Sequence, residues 1–249
     1  MSKAILLNTG WTFTKEGHDE PVTLPHTWNA VDGQDGGNVY YRGTCSYTRK
    51  LEKPELSDGD RAVLQFDGVA MTAVVNLNGE KVAEHKGGYS TFRAEVTELL
   101  QAENQLTVRV DNSVNDRVYP QKADFTFYGG IYRDVSLLVV NRNHIALDYL
   151  GGPGVQITPT VNGANADIEV KTWMEGNGEV EFSIYDAAGA EVLTGKGRDT
   201  TVTLEHPHLW DGVRDPYLYT CAVRLVLNGE VQDEVRQRFG VRSFSVDPK

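Results

Sequence analysis

An all-β chain of two successive antiparallel sandwiches is what this sequence predicts, on three observations. Apolar residues recur with period two, Asn-Gly pairs separate strand-like runs, and helical spacing is confined to Val96, Leu99 and Leu100. Ala73, Val75 and Leu77 alternate with Val74, Asn76 and Asn78, which gives a half-buried strand. Asn78-Gly79 then closes a hairpin, because both central positions of a type I′ turn need φ > 0. The Val96, Leu99, Leu100 spacing predicts about two helical turns. Leu106, Val108 and Val110 alternate with Thr107 and Arg109 as the next strand, and an apolar run from Ile131 to Val140 predicts another.

Polar Asn141-Arg142-Asn143-His144 interrupts that run and marks a boundary, giving units of residues 1–142 and 143–249. Val180, Phe182 and Ile184 alternate with Glu181, Ser183 and Tyr185 in the second unit. Turn signals at Gly176-Asn177-Gly178, Ala188-Gly189, Gly195-Lys196-Gly197 and Asn228-Gly229 space out roughly seven strands. That pattern suits an immunoglobulin-like sandwich of about 100 residues, with Trp173 a candidate core tryptophan, although the Cys…Trp…Cys spacing of antibody domains is missing. The first unit is long for a minimal sandwich and suits a jelly roll.

The formal net charge of −11 argues against nucleic acid and against an anionic membrane surface as partners. No apolar run reaches the length of a membrane-spanning helix, and the start is too short in apolar residues for a signal peptide. Cys45 and Cys221, far apart in sequence, read as reduced thiols of a cytoplasmic protein. His206-x-His208 lacks the further ligands that zinc needs and reads as structural. No nucleophilic triad, P-loop or dinucleotide fingerprint is present.

The stretch Asp124-Phe-Thr-Phe-Tyr-Gly-Gly-Ile-Tyr-Arg-Asp-Val135 carries the most information. Its glycine pair permits a tight turn or close backbone approach. Arg133 and Asp134 bring opposite charges into an apolar strand, where they need partners; a structural ion pair or network is favoured over a substrate clamp. The aromatics Trp28, Tyr40, Tyr41, Tyr119, Phe125, Phe127 and Tyr128 supply faces for sugar C–H groups or for packing. With Leu24-Pro-His-Thr-Trp-Asn29, Tyr41-Arg-Gly43, Phe66-Asp-Gly-Val69, Val75-Asn-Leu-Asn-Gly79, His85 through Phe92, Asn104 through Asn112, Leu209-Trp-Asp211, Pro216-Tyr-Leu-Tyr219 and Arg238-Phe-Gly-Val-Arg242 in this order, the chain resembles glycoside hydrolase family 2. Among its members, Asp124 to Val135 looks most like bacterial β-galactosidases.

That resemblance implies a jelly-roll sugar-binding-type domain followed by an immunoglobulin-like domain, in a bacterial, cytoplasmic parent that hydrolyses terminal β-D-galactosides with retention. Retention needs two carboxyl groups roughly 5 Å apart. In the family both belong to a (β/α)₈ barrel that would begin near Lys249, so the resemblance implies no catalytic residue in this chain. It implies an acidic residue at Asp124 reaching toward the sugar; Arg42, by its place after Tyr40-Tyr41, and Tyr128, by its ring, are weaker candidates for substrate contact. No cofactor is expected in this chain, and a metal requirement of the parent is left open. The missing barrel and further copies of the chain are the expected protein partners. A stand-alone carbohydrate-binding module, a purely structural protein, and a parent acting on glucuronides or mannosides are the alternatives.

Overall fold

A computed structural model describes residues 2–32, 40–119 and 126–246. The chain divides into two compact units, Lys3–Val140 and the residues from Asn141 onward together with Ser2. Strand pairing in both is antiparallel throughout the described residues.

The first unit contains β1 (Lys3–Leu6), β2 (Trp11–Lys15), β3 (His18–Val22), β4 (Thr44–Glu52), β5 (Arg61–Phe66), β6 (Val69–Ala70), β7 (Thr72–Leu77), β8 (Glu80–Lys86), β9 (Phe92–Glu95), β10 (Glu103–Asp111), β11 (Gly130–Ile131) and β12 (Val135–Val140). They form a sheet ordered β3-β2-β4-β10-β7-β8, a second ordered β1-β12-β5-β9, and a short β6-β11 pair. Period-two side-chain direction makes the sandwich. Val108 and Val110 of β10 stand opposite Tyr47 and Cys45 of β4 and Val75 and Ala73 of β7. All six are buried, and they pack with Leu64 and Phe66 of β5 and Leu137 of β12 in one core. This is the jelly-roll-type sandwich.

The second unit contains β13 (His144–Ile145), β14 (Val155–Asn162), β15 (Asn165–Thr172), β16 (Met174–Glu175), β17 (Glu179–Tyr185), β18 (Glu191–Lys196), β19 (Asp199–Glu205), β20 (Tyr219–Leu227) and β21 (Glu230–Phe239). Sheets β14-β15-β19 and β18-β17-β20-β21 supply the two faces of the core, with β13-β16 a short pair. Ile168 and Val170 from one face pack with Phe182, Ile184, Val223 and Leu225 from the other, as an immunoglobulin-like sandwich requires.

Both Asn-Gly pairs turn as expected. Asn78 and Gly79 have φ of 54° and 88°, Asn228 and Gly229 of 53° and 81°, and each joins adjacent paired strands. A Cβ on Gly229 would meet nothing within 4 Å, so its substitution reports backbone conformation alone. Gly229→Ala is therefore expected to cost about 1–2 kcal/mol, the steric penalty of the left-handed conformation. A change below a few tenths in urea unfolding would contradict that account.

Three expectations are corrected. The Val96–Leu100 spacing forms only a 3₁₀ turn, Thr97–Leu99. Val96 and Leu100 are buried because they plug the core from a loop, with Val96 N–H donating to Ala62 O. The Ile131–Val140 run breaks into β11 and β12, leaving Arg133 and Asp134 exposed between them. Their partners are backbone carbonyls and an amide: Arg133 Nη1 donates to Asp67 O (3.2 Å) and Tyr89 O (3.0 Å), and Asp134 Oδ1 accepts from Asn8 Nδ2 (2.8 Å). Trp173 is half-buried and stacks on Tyr149 at 3.7 Å between ring centroids, outside the main core.

Candidate functional site

The glycine pair of the twelve-residue stretch lies where the connection from β3 to β4 meets the end of the connection from β10 to β11. Gly129 has the Trp28 ring against it, so close that a Cβ would lie 2.1 Å from Cζ2. Gly130 (φ 136°) faces the backbone of His26, and a Cβ there would lie 2.4 Å from His26 O. Only residues without a side chain fit such an approach. His26 N–H donates to Ile131 O, and Thr27 Oγ1 donates to Gly129 O (2.8 Å). The segment His26–Asn29 is thereby fastened to the exit of the aromatic loop.

Asn29, Asp32 and Asn112 complete the fastening from inside, all nine-tenths buried or more. Asn29 Oδ1 accepts from Gly129 N (2.7 Å) and Asn112 Nδ2 (3.1 Å), while Asn29 Nδ2 donates to Asp32 Oδ2 (2.6 Å) and Tyr41 O (2.9 Å). Asp32 Oδ2 also accepts from Tyr41 N (3.1 Å), and Asn112 Oδ1 accepts from Gly43 N (2.9 Å). A buried carboxylate needs donors to replace water, and a fully connected network supplies them. Asn29 and Asn112 stand in the sequence only as the ends of family motifs and Asp32 in none, and the spacing Asn-x-x-Asp is too common to single the three out as a cluster.

Arg42 belongs to the same cluster. Its Nε donates to Asn112 O (2.8 Å), Nη2 lies 3.7 Å from Met71 Sδ, and the guanidinium sits over the Tyr40 ring at 5.8 Å. Tyr40 in turn donates its hydroxyl to Phe127 O (2.6 Å), and its burial pushes that phenol above its ordinary range. Tyr128 follows Phe127 and is half exposed. It lines a small cleft with Met71, Phe127, Tyr89 and Tyr119. Arg42 and Tyr128 are thus brought to one neighbourhood through Tyr40 and Met71. Asp124 and Phe125 lie outside the described residues. Trp28 and Phe127 are buried, and Trp28 stacks on Phe13, so these two aromatics belong to the packing.

The carboxylates placed here are held by donors. Asp111 Oδ2 accepts from Thr44 Oγ1 and Oδ1 from Ser113 N, both at 2.6 Å. Burial pushes its carboxyl up, but these hydrogen bonds and the Arg109 charge prevail and hold it below the usual range. Among the described residues no group of three or more His, Cys, Asp or Glu is arranged to hold a metal. No described helix is long and apolar enough to cross a membrane. The arrangement suits orientation and contact, with rigid backbone, a stacked guanidinium and exposed tyrosine faces.

His26 makes this region pH-sensitive. Its ring packs on Phe13 and its Nδ1 lies 2.7 Å from the Tyr47 hydroxyl. Burial lowers its pKa from 6.5, with Glu20 opposing in part. The unfolded chain therefore takes up a proton near pH 6.5 that the folded unit refuses, so stability present above that pH is lost as pH falls toward the depressed folded value. His85, also lowered by burial, adds in the same direction. The urea midpoint of the first unit is expected to fall between about pH 7.5 and about pH 5.5, and to fall less in His26→Gln. An equal drop in the variant would remove His26 from the account.

Comparison with known proteins agrees with the fold of the two units. The model described as "Glycosyl hydrolases family 2, sugar binding domain" matches residues 2–141, and the one described as "Glycosyl hydrolases family 2" matches residues 149–242. A β-glucuronidase of Bacteroides fragilis is 34% identical over 98% of this chain and 38% of its own length. A β-galactosidase of Thermoanaerobacter pseudethanolicus is 28% identical over 95% of this chain and 33% of its own. Among solved structures, an FMN-binding β-glucuronidase from Facaelibacterium prausnitzii L2-6 superposes with a TM-score of 0.94 at 40% identity, covering all of this chain and 40% of that one. The chain thus spans about two fifths of the length of these β-glucuronidases.

Proposed function

The chain belongs to glycosyl hydrolases family 2, and from that premise we propose that it is the non-catalytic N-terminal part of a retaining β-glycosidase. Its first unit completes one wall of the sugar pocket, with Asp124, Tyr128 and Arg42 on the substrate side, and both units brace the catalytic domain. The observation that carries this reading is the buried Asn29–Asp32–Asn112 network, which fixes the backbone at Gly129 and with it the exit of the loop that contains Asp124. A fixed backbone at Gly129 suits a pocket wall that must meet a sugar hydroxyl within a fraction of an ångström.

A β-glucuronide is the first choice of substrate, because relatives of 34% and 40% identity bear that name. A β-galactoside is the second, favoured by relatives at 28% identity from Thermoanaerobacter pseudethanolicus and Bacteroides ovatus. Hydrolysis of 4-nitrophenyl β-D-glucuronide and β-D-galactoside by the full-length gene product decides between them, and turnover of neither would end the proposal. Asp124→Ala in that protein is expected to lower kcat/KM by about 10- to 100-fold, the worth of a hydrogen bond to a charged group. An unchanged kcat/KM would remove Asp124 from the pocket.

A further inference from the structure

We propose that an open groove on the second unit is a binding site for a neutral saccharide, separate from the pocket to which the first unit contributes. The groove encloses about 550 Å³ between β18, β19 and the segment leading into β20, a size within the usual range of small-ligand sites. Its lining includes Asp186, Glu205, His206, His208, Tyr217 and Tyr219.

The wall is built of rings held in place. His208 and Tyr217 stack face to face at 4.0 Å with their planes 5° apart. Asp215 Oδ2 lies 2.6 Å from His208 Nε2 and fixes the imidazole from the side. The Tyr219 hydroxyl oxygen accepts from His208 N (2.8 Å), and the Tyr217 hydroxyl oxygen accepts from Ala187 N (3.2 Å). Such a wall is organised before any ligand arrives, which reduces the ordering cost of binding. His206 enters the groove from a backbone with φ of 46°, a conformation uncommon outside glycine and one that accumulates at functional sites.

The chemistry around these rings selects the ligand. Rigid ring faces accept the C–H face of a pyranose. Carboxylates at Asp186 and Glu205 accept hydrogen bonds from hydroxyls, and the Glu205 side chain has no hydrogen bond or ion pair among the described residues. Asp186 Oδ1 is fixed by the N–H groups of Ala188 and Ala190 (2.9 and 2.8 Å), so that carboxylate is positioned as well. With Asp215 these acids give the groove negative character, which repels a uronate or a phosphate and admits a neutral sugar. The site stands independently of the substrate proposed for the whole protein.

The imidazoles of His206 and His208 report directly on occupancy, so the test is a long-range ¹H–¹⁵N titration of the chain with methyl β-D-galactopyranoside. Methyl β-D-glucuronide and putrescine serve as the anionic and cationic arms. A saturable shift at His206 and His208 with the neutral glycoside is expected. Affinity should fall about tenfold in Glu205→Gln, an exposed change outside the core, and more in Tyr217→Leu. Tyr128→Ala should leave the titration unchanged. No saturable shift, an equal response to the glucuronide, a response to putrescine alone, or unaltered binding in Glu205→Gln would overturn the proposal.

Discussion

Gly129→Ala is expected to destabilise the first unit by about 3 kcal/mol or more while leaving the second unit's transition in place. The added methyl would sit 2.1 Å from Trp28 Cζ2 and 2.8 Å from Asn112 Nδ2. Neither neighbour can yield. The indole is wedged against Phe13 with ring centroids 5.9 Å apart, and Asn112 is committed to Asn29 and Gly43. Overpacking a well-filled core alone costs roughly 1–3 kcal/mol. Displacement of Asn112 would add the loss of buried hydrogen bonds, about 1 kcal/mol or more for each group left unpaired. Urea unfolding of wild type and variant measures the difference. A loss below about 1 kcal/mol would mean that Trp28 moves freely and the convergence of loops is loose.

Asn29→Ala is expected to have an effect of similar or larger size by a different route. It removes a donor to the Asp32 carboxylate and leaves the N–H groups of Gly129 and Asn112 without their shared acceptor. Each buried group left without a partner costs about 1–3 kcal/mol, and the Asp32 carboxylate loses one donor while keeping the Tyr41 N–H. The double variant with Asp32→Ala should recover part of the loss, since the stranded carboxylate goes with it. Strict additivity of the two single changes would refute the network as a unit. In the full-length protein the same change should raise KM or lower kcat through the position of the loop.

The alternation of Val75 and Val108 and the two Asn-Gly pairs placed strands and hairpins correctly because both signals are local. Side-chain direction and turn dihedrals depend on residues within a few positions. The glycine pair also announced a close approach, though not its partners, His26 and Trp28, a hundred residues upstream. What stayed hidden was assembled across the chain. Asn29, Asp32 and Asn112 are ordinary polar residues until folding brings Gly129 against them. Arg133 and Asp134 looked like charges inside a strand because Ile131 and Val135 flank them. The backbone breaks there, and the charges find Asp67, Tyr89 and Asn8 at the surface. Val96, Leu99 and Leu100 had helical spacing, but a buried loop with one 3₁₀ turn satisfies the same apolar contacts. The family motifs were legible as an ordered series, while the choice between uronate and galactose lay beyond them.

Each unit carries one buried free thiol, Cys45 in the first and Cys221 in the second. Burial pushes the Cys45 thiol up to about 11 and the Cys221 thiol up to about 12, so neither is a nucleophile while its sandwich is closed. An alkylating reagent at neutral pH can therefore mark Cys45 only when the first sandwich opens, and Cys221 only when the second does. The molecule contains a separate clock for each half of its length. Two masses on a peptide map would record how often each half breathes, without any probe being added to the chain.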